Sequence, residues 1–298
     1  MKSALNALAA SCLAVVAAPV FADAYGSATL SNVTVTLIDL NPKDGIAPSI
    51  SFLPDPTKFA SGANISGVAQ TGQAFGNEPG NIYDSFSKTG ASSQANISGT
   101  IHNALATSSA DVTGSTTGVG FSAASLSGSA LSTAGQSAYF AVDAAIPNSS
   151  HNLVFTLSPN TEVVFSVDAS MSVHTTIGHT LGGLSGESAS AQISLYAAGP
   201  GSSLKLAEDL EQQEVNVLWA DGSAPGGGAD GWSGVISASY SNLSNRSHEG
   251  EFGAQALIGG TSVTSAVPEP STYGMLLGGL GLIGSLVRRR NHAANLAN

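Results

Sequence analysis

Few side chains in this sequence have both the type and the spacing that chemistry requires. His174 and His179 are five residues apart with Gly178 between them, a spacing that neither one helix face nor one strand face gathers at a metal. The six histidines form no His-x-Glu or His-Glu-x2-His pattern, and Cys12 is the single cysteine, so no zinc site and no metal is expected. Serines are abundant, but no Gly-x-Ser-x-Gly elbow and no phosphate-cradling glycine loop occurs. Glu208, Asp209, Glu211 and Glu214 cluster in sequence, which marks a solvated face rather than the two facing carboxylates of a glycosidase. Two features remain. The run from Asp221 to Asp230 combines oxygen ligands with flexible glycines but lacks the alternating acids of a calcium loop. Beside it, Trp232 lies in a polar, glycine-rich setting where an indole face could stack on a sugar ring or pack under a sheet edge. These readings predict no catalytic residue, no cofactor and no enzyme, with Trp232, Asp221 and Asp230 as the ligand-binding candidates.

Composition limits the frame that positions them. Charged residues are only 10% of the chain, hydrophobic residues 42%, and glycine alone supplies 35 positions. That balance fits a secreted β-protein with Ser, Thr, Asn and Gly on its outer faces, not a disordered polyampholyte. The net charge is −11, and residues 25–266 hold 5 bases against 18 acids. Nucleic acid and anionic headgroups are therefore excluded as expected partners of this region. With its one cysteine inside a leader, the body must hold together by core burial and sheet pairing alone.

Residues 1–24 read as a secretory signal peptide: Lys2, then the apolar run Leu5 to Phe21, then small residues. Cleavage after Ala22 competes with cleavage after Ala24. At the other end, Pro268-Glu269-Pro270 forbids a helix and holds Glu269 in an extended segment. Ser271 to Val287 follows without a charge, 17 residues that span roughly 25 Å as a helix, near the short limit for a bilayer. Arg288, Arg289 and Arg290 close it and place the short C-terminal end on the cytoplasmic side.

Motif, span and basic cluster, in that order, resemble the PEP-CTERM sorting signal of exosortase substrates. The resemblance covers about 30 residues and departs from the usual pattern in the eight residues after the arginines, 291–298. It implies an exosortase-type membrane enzyme that engages Pro268, Glu269 and Pro270, transient anchoring by the C-terminal transmembrane helix, and release to the cell surface or exopolysaccharide matrix.

Between these ends the sequence predicts a mainly β body over 25–261, followed by a linker at 262–267. Thr29 to Leu40 alternates as a strand, with Val33, Val35 and Leu37 on one side, and Pro42 and Gly45 end it. Residues 62–135 are rich in Ser, Thr, Gly and Ala with scattered alternation. There Ala63-Asn-Ile-Ser-Gly67 recurs as Ala95-Asn-Ile-Ser-Gly99, compatible with a duplicated hairpin edge. Val163 to Val173 and Ala189 to Leu195 are the clearest strands, expected as antiparallel neighbours joined by a long connection. Leu204 to Glu214 could form a turn or two of helix, Val215 to Trp219 a strand, and Val235 to Tyr240 another after a Gly-rich loop. The expected fold is an antiparallel β-sandwich of jelly-roll type. The expected function is that of an exported surface or matrix protein with a structural or adhesive role. Carbohydrate binding through the loop around Trp232 is the alternative, and a polysaccharide-modifying hydrolase the more distant one.

Overall fold

The computed structural model describes residues 22–52, 63–73, 82–90, 93–101, 104–114, 121–133, 135–146, 153–177, 186–200, 209–218, 227–264 and 279–280. The chain divides into two units, Phe21–Ser265 and a second one of Met1–Val20 with Ala266–Asn298. The first unit carries the described fold.

Its strands are β1 (Ala22–Asp39), β2 (Ile50–Phe52), β3 (Ala63–Gln73), β4 (Ile82–Gly90), β5 (Ser93–Ile101), β6 (Ala104–Gly114) and β7 (Phe121–Ser132). There follow β8 (Gln136–Ile146), β9 (Leu153–Leu157), β10 (Thr161–Thr175), β11 (Gly186–Ala198), β12 (Asp209–Leu218), β13 (Gly228–Asn242) and β14 (His248–Thr264). The described ladders are all antiparallel. One sheet runs β13-β10-β1-β7-β6-β5, the other β12-β11-β14-β8-β3-β4. β9 prolongs the track of β8 along β14, and β2 pairs with β9 beyond the end of β3. The second sheet thus has the same six tracks as the first, and each strand of one lies over its counterpart in the other.

This is the expected antiparallel sandwich, but its path is not a jelly roll. The hairpins β3–β4, β5–β6–β7 and β11–β12 stay within one sheet instead of alternating between sheets. Connections as short as the two residues between β5 and β6 favour a hairpin over a crossing.

Period-two patterning builds the core. β10 buries Val163, Phe165, Val167, Ala169, Met171 and Val173 and turns Asp168, Ser172 and His174 to solvent. In β1 the phase changes. Ala22, Ala24, Ala28 and Leu30 are buried, whereas beyond Asn32 the inward positions are Val33, Val35 and Leu37. A bulge makes the switch: the β1–β10 register shifts between Ser31 and Thr34, and Asn32 adopts φ 55°. Asparagine tolerates this left-handed conformation better than most residues, and its Nδ2 donates to Asp168 Oδ2 at 2.7 Å.

The interior changes character along its length. Near the middle, Phe140 of β8 enters a slot between Gly26 of β1 and Gly128 of β7, which pair with each other in the facing sheet. A Cβ on Gly128 would sit 2.1 Å from the Phe140 ring, so only glycine admits the aromatic. Towards the end where β1 finishes, aromatic rings join the sheets. Phe165 stacks on Phe252 with centroids 4.1 Å apart, and Phe155 meets Phe165 at 5.4 Å and Tyr240 at 6.0 Å. At the opposite end the inward residues are hydroxylic. Ser132 Oγ lies 2.8 Å from Ser262 Oγ and 2.7 Å from Thr264 Oγ1, and Ser262 Oγ donates to the Ala22 carbonyl at 2.9 Å.

Two expectations about the strands are corrected, and the first and last strands are placed against the expected leader and linker. β10 and β11 are not neighbours in one sheet: β10 lies between β1 and β13 and faces β11 across the core. The 178–185 connection is long enough to cross the roughly 10 Å between sheets. Residues 209–214 pair with β11 as strand, so cross-strand pairing overrides the helix-forming composition of Leu204 to Glu214. β1 begins at Ala22, inside the 1–24 segment read as leader. β14 continues to Thr264, inside the 262–267 segment read as linker, because Ser262 and Thr264 keep the inward phase and bury their hydroxyls.

Candidate functional site

The sorting residues Pro268, Glu269, Pro270, Arg288, Arg289 and Arg290 lie outside the described residues, as do residues 1–21, with Cys12, and 291–298. Of the expected membrane span, only Gly279 and Leu280 are described, and they are helical. Among the described residues no helix is long and apolar enough to cross a membrane.

The body residues suspected of binding are placed differently from expectation. Trp232 belongs to β13, which starts at Gly228, so the residue is in a strand and not in a loop. It pairs with Met171, whose side chain is buried, and shares that inward face. The indole is half-buried against the core and lies along Gly234, where a Cβ would be 2.9 Å from Cζ2. A ring held this way is edge packing rather than an open stacking platform. Asp230, two residues earlier, is exposed and its Oδ1 accepts from the Gly231 N–H at 2.8 Å. Asp221, Trp219 and His179 lie outside the described residues. His174 is exposed on the outer face of β10. Among the described residues no group of three His, Cys, Asp or Glu side chains could hold a metal.

Sequence reasoning passed over the one deeply buried acid among the described residues, Glu187. It lies near the start of β11, in phase with the inward Ala189, Ala191 and Ile193, and it is 1% exposed. Its carboxylate reaches across to the last residues after β10. Oε2 accepts from the N–H groups of Thr176 and of Ile177, the latter at 2.8 Å, and the Thr176 hydroxyl donates to Oε1 at 3.1 Å. The same hydroxyl accepts from the Asp23 N–H at 2.9 Å, and the Thr176 N–H returns a bond to the Asp23 carbonyl at 3.2 Å. Burial pushes the Glu187 carboxyl up to about 7, partly opposed by the Ile177 and Thr176 donors, and the charge of Asp23 adds to the rise. Burial also raises Asp23, against the pull of His174. The signal for Glu187 was present: a carboxylate in phase with four buried positions must find donors inside.

This acid stands where the body's chain begins and ends. Ala22 and Thr264 lie at the same end of the sandwich and are joined through the Ser262 and Ser132 hydroxyls. The described unit is therefore a two-sheet antiparallel β-protein whose first and last strands meet at one end. The segment just beyond it, residues 266–291, matches the family model of the PEP-CTERM protein-sorting motif. The chain carries this motif. It marks an exported protein that undergoes membrane-associated processing by an exosortase-type enzyme. No curated protein matches the chain. Among solved structures, the N-terminal CBM22-1–CBM22-2 tandem domain of Paenibacillus barcinonensis Xyn10C aligns at 9% identity, over 81% of this chain and 78% of that one. Its TM-score is 0.12, a value from which no shared fold follows.

Proposed function

We propose that the protein is a non-catalytic surface or exopolysaccharide-matrix component, a β-sandwich cargo delivered by its C-terminal sorting tail. The observation that carries this reading is the motif match at residues 266–291, directly after the last strand ends at Thr264. In this reading an exosortase-type enzyme engages Pro268, Glu269 and Pro270 while the 271–287 segment holds the precursor in the membrane and Arg288, Arg289 and Arg290 fix its orientation. Two further features support it. The acidic, low-charge composition suits a hydrated polymer surface more than nucleic acid. The body also forms one unit, Phe21–Ser265, of two antiparallel sheets, as suits a self-contained cargo.

Replacing Pro268-Glu269-Pro270 with three alanines in the native host tests the reading. The variant is expected to stay in the membrane fraction at its uncut mass, and unchanged release at unchanged mass would refute it. The alternative, carbohydrate binding through Trp232, has against it the ring's inward place on β13, and equal retention of wild type and Trp232→Ala on exopolysaccharide would remove it.

A further inference from the structure

We propose that the mature body begins at Asp23, and that the ammonium group freed there docks beside the buried Glu187 carboxylate as the anchoring charge of the closed sandwich end. The inference rests on the reading of residues 1–22 as an export leader. The two cuts the small residues permit, after Ala22 and after Ala24, have different structural consequences.

Cleavage of the Ala22–Asp23 bond adds one water. The amide C–N bond breaks, Ala22 leaves as a carboxylate, and the Asp23 nitrogen takes up a proton to become an ammonium. Little of the body is lost. Ala22 is the buried first residue of β1: the cut gives up its pairing with Ser132 and the bond its carbonyl accepts from Ser262 Oγ, which keeps Ser132 Oγ as a partner. The Asp23 nitrogen remains where it already donates, against Thr176 Oγ1 at 2.9 Å. That hydroxyl bridges to both Glu187 oxygens at 3.1 and 3.3 Å, so the new cation is one shared hydroxyl from a buried carboxylate. Cleavage after Ala24 would instead remove Asp23 and its two backbone links to Thr176. It would also remove the Ala24 pairings with Ala130 and Thr175.

Glu187 needs such a partner. The described donors to it are neutral: two backbone N–H groups and one hydroxyl. The titratable groups facing this corner are Asp23 on β1, an added negative charge, and His174 on β10, which opposes Asp23. Of the described basic side chains, Lys43 and Arg246 are in turns at the other end of the sandwich, and Lys88 is on β4 at the far sheet edge. A buried carboxylate served by neutral donors alone is costly, and a cation within about 4–6 Å relieves it.

N-terminal sequencing of the protein exported by the native host, followed by the pH profile of N-terminal acylation, tests the proposal. The expected first residue is Asp23. Its amine should titrate above the usual range of about 7.7–8.0 in the folded protein and return towards that range in urea. In Glu187→Gln, labelling at pH 7 should be on the order of tenfold faster, one unit of pKa. A first residue of Tyr25 would overturn the inference and leave the export reading intact. A first residue of Met1 would overturn both. An Asp23 amine that titrates alike in folded and unfolded wild type would overturn the ion pair, even if Glu187→Gln does not fold.

Discussion

Phe140 joins the two sheets locally, because its ring occupies space that Gly26, Gly128 and, on its own sheet, Gly260 leave open. Phe140→Ala is expected to cost about 3–5 kcal/mol and Gly128→Ala about 1–3 kcal/mol in urea unfolding of the exported body. Equal stability of Gly128→Ala and wild type would mean that the ring does not sit in that slot. Glu187 sets the pH response. With the chain continuous through Ala22, its folded-state pKa of about 7 exceeds the ordinary 4.5, so the folded state keeps a proton the unfolded state has lost. Its contribution is complete below about 4.5 and disappears as pH rises through about 7. Asp23 and Asp143, also raised by burial, act in the same direction. A body carrying one extra residue before Asp23 should lose roughly 1–2 kcal/mol across this window, allowing for partial solvent screening. Glu187→Gln should flatten the profile. A loss of the same size in Glu187→Gln would assign it to other groups.

Among the elements, β1 shows how much of the fold the sequence discloses and where it falls silent. From Thr34 to Leu37 polar and branched apolar residues alternate, and the strand is legible. From Ala22 to Ala28 the inward residues are Ala and Gly, too small to contrast with Ser and Thr, so the same strand is invisible there. β3, β5, β6 and β7 suffer the same loss of contrast within 62–135. The repeated Ala-Asn-Ile-Ser-Gly segments open β3 and fall within β5, which lie in opposite sheets one track apart, with Ile65 and Ile97 inward. β10, with Val, Phe and Met against Ser, Asp and His, was readable residue by residue. Its partners were not, because a strand's pattern states which face is buried but not which strand lies beside it. Glu187 was missed for the opposite reason: a lone acid in a Gly/Ser-rich stretch reads as solvent-facing until its phase with Ala189 is followed. The bulge of β1 gives a test at this scale. Asn32→Val should cost about 1–2 kcal/mol more than Asn32→Gly, since both lose the bond to Asp168 but only valine is strained at φ 55°. Equal unfolding midpoints would show that the left-handed residue does not create the register shift.

At the scale of the whole molecule, fold and address are separable. The sandwich, its aromatic end and its glycine slot account for a stable body. The tail accounts for where that body goes. Exchanging Arg288, Arg289 and Arg290 for glutamates is expected to lower the membrane-held precursor in cell fractions, since basic residues set the orientation of an apolar span. An unchanged precursor level would take the arginines out of the account. The intact mass of the mature protein from its native host tests the central claim most directly, because it reads both trimmed ends in one number. The account predicts a chain that starts at Asp23 and stops near Pro268-Glu269-Pro270. A mass that still includes the sequence through Asn298 would contradict it.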